Sequence, residues 1–112
     1  MSTRIETRLW IAQRASAALL ALCVAVHLVT MIAAVRGGLS AVDILGRTRG
    51  SIGWAAFYGL FVVAVSIHAP LGLRTIASEW LGWRGHAADA TAVLVGAVLL
   101  ACGVLAIVAV AR

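Results

Sequence analysis

The sequence predicts an all-α fold, a transmembrane bundle of three helices. Of its 112 residues 63% are hydrophobic and 12% are charged, and the mean hydropathy is +1.07. A water-soluble domain of this length cannot bury so much apolar surface. A helix needs about 20 apolar residues to cross the ~30 Å hydrocarbon layer. Three stretches reach that length, at residues 14–35, 53–73 and 90–111.

The two connections, residues 36–52 and 74–89, are too short to hold a soluble domain. All 112 residues are therefore expected to form a single membrane domain. Helices satisfy their own backbone hydrogen bonds in lipid, whereas three strands cannot close into a barrel. These two facts favour a helical bundle.

The polar residues of the first span lie on one stripe. Steps of three and four from His27 lead to Cys23, Ser16 and Gln13, so these residues share one helix face. Ionisable residues inside a membrane are costly, which makes His27 a functional candidate. We expect the stripe to face protein, a cofactor or water. The length of the stretch and its internal histidine argue against a signal peptide.

The second span contains His68, with Ala64 and Gly72 one turn away on either side. Small residues at those positions leave room for a broad, flat group, but they also permit close helix packing. Pro70 has no N–H, so the carbonyl of Ser66 loses its helical partner.

The third span is apolar except for Thr91 and Cys102. Gly96 and Gly103 indicate a packing face of small residues, so we assign this span a structural role. The two cysteines, Cys23 and Cys102, have no CxxC spacing and are interpreted as small apolar fillers.

The net charge of +5 comes from nine arginines and no lysine. They lie at helix ends without a basic cluster, which favours anchoring to lipid headgroups and argues against nucleic-acid binding. By the positive-inside rule the distribution favours a cytoplasmic N-terminus. The N-terminal side has five of the nine: Arg4, Arg8, Arg14, Arg74 and Arg84.

The two intramembrane histidines are expected at different depths. Counted from the span centres, His27 and His68 are roughly 12 Å apart along the membrane normal. This distance exceeds what one metal ion or one haem can bridge, because each metal–imidazole bond is about 2 Å long. If both bind haem, there are two haems. Since His86 is predicted to lie in a loop, the second axial ligands must then come from a second membrane subunit or from a second copy of this chain.

A histidine in a span can also simply hydrogen-bond to a neighbouring helix. The chain would then be a cofactor-free helical assembly protein or a transport subunit. Transport chemistry is disfavoured because all four carboxylates lie near helix ends or in loops: Glu6, Asp43, Glu79 and Asp89.

The end of the second span has the pattern H-x-x-x-G-x-R-x-x-x-x-[DE], which reads here as His68, Gly72, Arg74 and Glu79. It resembles the cytochrome b membrane-anchor subunit (C-type) of succinate dehydrogenase and fumarate reductase, complex II. The segment Q-R-A-S-A at residues 13–17 is similar to the H-R-x-S-G of that family. The resemblance extends over nearly the whole chain and implies an anchor subunit of a larger membrane complex.

The resemblance implies specific roles for five residues. It makes His68 an axial ligand of haem b, and it makes His27 similar to the ligand of a second haem in two-haem members. It implies that Arg14 and Ser16 help to form a quinone pocket. Arg14 and Arg74 are candidate partners of haem propionates, since a guanidinium pairs bidentately with a carboxylate.

The resemblance also implies partners and a location. It predicts a second membrane-anchor subunit that shares the haems, an iron–sulfur subunit, a flavoprotein subunit and surrounding lipid, in a bacterial cytoplasmic membrane. Quinone would be the substrate. The chain itself would perform no dicarboxylate chemistry, and it could instead anchor a different flavoprotein dehydrogenase. Departures from the family pattern at the quinone pocket are Trp10, Gln13, Ala17 and Thr75.

Overall fold

The structure, a computed structural model, describes residues 3–38 and 40–112. It contains four helices and no strand within those ranges. Three of the helices are long and apolar enough to cross a membrane, which confirms the predicted three-helix transmembrane fold. The helices are α1 (Thr3–Arg36), α2 (Ala41–Thr48), α3 (Ile52–Leu81) and α4 (His86–Ala111).

The long helices extend beyond the stretches that hydropathy marks. α1 begins at Thr3 rather than near residue 14, and α3 continues to Leu81 rather than ending near residue 73. Hydropathy detects the lipid crossing, whereas a helix continues into the headgroup region wherever its polar residues tolerate helical geometry. The expectation that His86 lies in a loop is wrong, because it is the first residue of α4.

Helix α2 was not predicted within the connection between the first two spans. Ser40 caps it, since the Ser40 hydroxyl accepts a hydrogen bond from the Asp43 N–H at 3.1 Å. The last residue of α2 and the segment that follows it cover the end of α4. Thr48 Oγ1 donates to Val110 O at 2.7 Å, and the Gly50 N–H donates to Ala111 O at 2.9 Å. These bonds satisfy two of the carbonyls that a helix C-terminus leaves unpaired.

Local signals explain the ends of α3. The Ser51 hydroxyl accepts a hydrogen bond from the Trp54 N–H at 3.2 Å and caps the N-terminus. Gly82 has a φ of +64° and ends the helix in the left-handed conformation that glycine adopts most readily. The chain then turns over a short loop into α4, so that α3 and α4 form an antiparallel hairpin.

Helix α3 lies between α1 and α4 and packs against both. The molecule is elongated, with a longest dimension of 49 Å. Many large apolar side chains face outwards, which a water-soluble surface would not tolerate but lipid requires. Those that are more than 60% exposed on the three long helices include Leu22, Val29, Val93, Leu94 and Leu105.

Small residues bring α4 close to α3, as the sequence predicts. A Cβ atom on Gly96 would lie 3.1 Å from Ser66 O and 3.3 Å from the Pro70 ring. The carbonyl that Pro70 leaves without a helical partner therefore lies directly against Gly96. A Cβ on Gly103 would overlap the side chain of Val62.

We expect Gly103→Ala to lower the free energy of unfolding by about 1–3 kcal/mol, because the new methyl group overpacks the contact with Val62. Thermal denaturation of the purified protein in detergent measures the change. Gly59→Ala is the matched control, since Gly59 lies in α3 with nothing within 4 Å of an added Cβ. Adding Val62→Ala to Gly103→Ala should restore part of the loss. An unchanged Tm in Gly103→Ala would contradict this account of the packing.

Candidate functional site

The contact between α1 and α3 brings Ser16 and His68 together. Ser16 Oγ lies 3.3 Å from His68 Nδ1, which is a long hydrogen bond between the two helices. Ser16 is 6% exposed, and its hydroxyl also donates to the carbonyl of Gln13 at 3.0 Å. Both residues were sequence-predicted site residues, but the pairing between them was not foreseen.

His27 forms a second pair at the other end of the same interface. Its Nδ1 lies 3.4 Å from the hydroxyl oxygen of Tyr58. The imidazole also contacts the rings of Tyr58 and Phe61 edge-on, with centroid separations of 5.9 and 5.8 Å. Each of the two helices thus supplies one histidine and one hydroxyl.

The two pairs lie at clearly different depths. His27 is level with Tyr58 and Phe61, whereas His68 is level with Ser16. Counted along either helix at 1.5 Å per residue, the levels are about 10–16 Å apart. This separation agrees with the stagger predicted from the sequence, and it places the two imidazoles in separate sites.

A cleft of about 530 Å³ opens beside His68 between α1 and α3. A Cβ on Gly72 would come 3.3 Å from Gln13 Nε2, so the glycine leaves space at the wall. Gln13 Oε1 is buried and has no hydrogen-bond partner within the described part of the chain. The lining residues are Glu6, Leu9, Trp10, Gln13, His68, Leu71, Gly72, Arg74, Thr75 and Ile76.

Arg14 lies outside this cleft on the exposed side of α1. Its guanidinium carbon is 5.3 Å from the centre of the Trp10 ring, a cation–π contact. Trp10 in turn lines the cleft. Arg14 is therefore linked to the cleft through Trp10, which is one of the departures from the family pattern.

Arg74 forms an ion pair that sequence reasoning missed. Its Nε donates to Asp89 Oδ1 at 2.7 Å and joins α3 to the first turn of α4. The sequence signal that could have revealed this pair is the short connection between the second and third spans, because an antiparallel hairpin brings the end of one helix beside the start of the next. This carboxylate uses only the Nε–H of the guanidinium, so the two terminal nitrogens of Arg74 remain for an anionic ligand.

The histidines suit a cofactor that brings its own donor atoms. Residues 3–38 and 40–112 contain no group of three or more His, Cys, Asp or Glu side chains that could hold a bare metal ion. Both Nδ1 atoms face a hydroxyl, and neither Nε2 has a hydrogen bond to the described residues. Metal-bound histidines commonly use one ring nitrogen for the metal and the other for such a partner. The residues present therefore fit the axial side of a haem.

Comparison with known proteins gives a family but no individual relative. No curated protein and no solved structure matches the chain significantly. A family model described as succinate dehydrogenase/fumarate reductase transmembrane subunit matches residues 1–106. This match covers nearly the whole chain and agrees with the three-span fold and with the resemblance seen in the motifs. The chain belongs to the family of succinate dehydrogenase/fumarate reductase transmembrane subunits.

Proposed function

We propose that this chain is a haem b-binding anchor subunit of a succinate dehydrogenase, which helps to pass electrons from an iron–sulfur subunit to membrane quinone. Family membership supports the assembly. The observation that carries the proposal is His68, an imidazole in the wall of a cleft with Nδ1 at a hydroxyl and Nε2 without a protein partner. Bound haem supplies one-electron transfer chemistry at a potential tuned by its surroundings.

His68 is the first proposed ligand. Burying an imidazole in lipid without a partner for its polar atoms would cost several kcal/mol, on the order of 2–7. Ser16 satisfies one ring nitrogen, and coordination of iron would satisfy the other. Gly72, one turn further along α3, keeps the neighbouring wall free of a side chain.

His27 is the second proposed ligand, for a second haem at the other depth. Its Nδ1 also faces a hydroxyl, that of Tyr58. The edge-on contacts with Tyr58 and Phe61 are also what a histidine that only joins two helices would make. The same experiment on both histidines separates the two roles. The second axial ligand of each haem is assigned to a partner membrane subunit.

The end of the cleft at Leu9, Trp10 and Ile76, about two helical turns from His68, is the proposed location of the quinone. These walls are apolar, as a quinone ring and tail require. Arg14 lies behind Trp10 and contributes positive charge beside the opening.

Family membership implies a complex with other subunits, and the motif resemblance supports the specific partners that we propose. A second membrane-anchor subunit, an iron–sulfur subunit and a flavoprotein subunit complete the proposed complex in a bacterial cytoplasmic membrane, with the N-terminus in the cytoplasm. Dicarboxylate chemistry takes place in the flavoprotein. The roles of Ser16 as a quinone contact and of Arg74 as a propionate partner stay predictions from the resemblance.

We expect His68→Ala to remove one haem from the purified complex and His27→Ala to remove another. Each substitution deletes the nitrogen that would bind iron. Reduced-minus-oxidised absorption spectra and haem quantification measure the loss. His86→Ala is the control, because His86 is exposed at the start of α4 and distant in sequence from both pairs.

Full haem content in both variants would refute the ligand assignment. If only His68→Ala loses haem, the wild-type complex holds one haem and His27 serves only as a contact between helices. A flat difference spectrum in the wild-type complex would favour the cofactor-free assembly instead.

We expect Arg14→Ala to lower quinone reductase activity by about 2- to 5-fold, the effect of losing a cation–π contact with Trp10 worth roughly 0.5–1 kcal/mol. Succinate oxidation with an artificial dye should stay unchanged, since the dye bypasses the membrane site. Arg8→Ala is the matched control, an exposed arginine on the same helix. Equal loss of both activities in Arg14→Ala would indicate faulty assembly and contradict a role at the quinone.

A further inference from the structure

We propose that Ser16 is a positioning residue that fixes the tautomer of His68 and so selects Nε2 as the atom that binds iron. The inference rests on the proposed function and deepens it, since it gives Ser16 a role different from the quinone contact that the resemblance implies. It follows from the hydrogen bonds of one buried hydroxyl.

A serine hydroxyl has one proton to donate and two lone pairs to accept with. Ser16 Oγ lies 3.0 Å from the Gln13 carbonyl oxygen and 3.3 Å from His68 Nδ1. The carbonyl can only accept, and it is the nearer partner, so the single proton is directed to Gln13. Towards His68 the hydroxyl is left as an acceptor.

The proton between Ser16 and His68 must then come from the imidazole. A neutral imidazole has one N–H, and with that proton on Nδ1 the lone pair of Nε2 is free. Ser16 is 6% exposed, so bulk water does not compete for the contact. The arrangement presents the iron-binding tautomer before any cofactor arrives.

The pair of Tyr58 and His27 lacks this feature. Within the described part of the chain, the Tyr58 hydroxyl has no hydrogen-bond partner other than His27 Nδ1. This hydroxyl can therefore either donate to Nδ1 or accept from it, so the contact selects no tautomer of His27. A neighbouring hydroxyl alone leaves the tautomer unselected, and the second acceptor, the Gln13 carbonyl, gives Ser16 its selectivity.

The same bonds make Ser16 a poor quinone ligand. A quinone carbonyl needs a donor, and the only proton of this hydroxyl is directed to Gln13. Ser16 is also absent from the residues that line the cleft. An effect of Ser16 on quinone reduction would therefore be indirect, through the ligand His68.

An acceptor at Nδ1–H makes an imidazole a more basic ligand, and loss of such a partner typically weakens metal binding by about 10- to 100-fold. A more basic axial ligand favours ferric over ferrous iron. Removing the acceptor should therefore raise the midpoint potential of the haem at His68 and weaken its retention.

The test uses the purified complex with Ser16→Ala, Ser16→Cys and Ser16→Thr. We expect the midpoint potential, measured by redox titration of the haem spectrum, to be lowest in the wild type and in Ser16→Thr, higher in Ser16→Cys and highest in Ser16→Ala. The threonine keeps the hydroxyl, whereas the cysteine sulfur is a weak acceptor. Haem should also be lost faster from the Ala variant during washing with detergent.

Ser66→Ala is the control. It makes the same substitution two residues from His68, at a buried hydroxyl without a partner within the described residues. It should leave the potential unchanged. A shift in Ser66→Ala equal to that in Ser16→Ala would show that loss of any hydroxyl near His68 has this effect, and it would overturn the inference.

An unchanged potential and unchanged haem retention in Ser16→Ala would also overturn it, as would a Ser16→Ala defect confined to the KM for quinone. If Ser16→Ala does not assemble, Ser16→Cys is compared with Ser16→Thr. Equal midpoint potentials and equal haem retention in these two variants would overturn the inference. A His68→Ala complex that keeps its haem is a separate result, because it refutes the proposed function itself.

Discussion

The structure depends on how two imidazoles are accommodated in an apolar medium. A polar ring atom in lipid must find a partner, because no water is present to replace one. Here each histidine meets a hydroxyl from the facing helix: His68 meets Ser16, and His27 meets Tyr58. These two contacts fix the register between α1 and α3, since sliding one helix by a turn would separate both pairs at once.

The other side of α3 is built by a different principle. α4 is almost wholly apolar and approaches α3 through glycines, at the place where Pro70 leaves a carbonyl of α3 unpaired. In lipid, where apolar side chains gain little from meeting one another, close approach of small residues provides much of the packing energy. The ion pair between Arg74 and Asp89 then closes the hairpin at the end where the loop lies. α3 is therefore held on one face by polar pairs and on the other by close packing.

The two interfaces of α3 also differ in the candidate functional residues that they contain. The interface between α3 and α1 contains both histidines and the cleft, while the face of α3 that packs on α4 contains no histidine. A rigid hairpin of α3 and α4 holds His68, and α1 supplies the residues that complete its surroundings, Gln13, Ser16 and Trp10. Preorganised supporting groups of this kind determine how precisely a ligand atom is presented. The family assignment places the chain in the membrane part of a succinate dehydrogenase or fumarate reductase complex.

Hydropathy and helical period determined the three-span fold, the candidate histidines and their stagger, because these depend only on length, rise per residue and the cost of polar groups in lipid. The same reasoning located the small residues of α4. The tertiary structure alone decided which hydroxyl meets which imidazole, that Arg74 pairs with Asp89, and that α2 covers the end of α4. Those contacts join residues far apart in the chain, and their partners depend on the rotation and register of packed helices. A one-dimensional pattern gives the face on which a residue lies but not what stands opposite it.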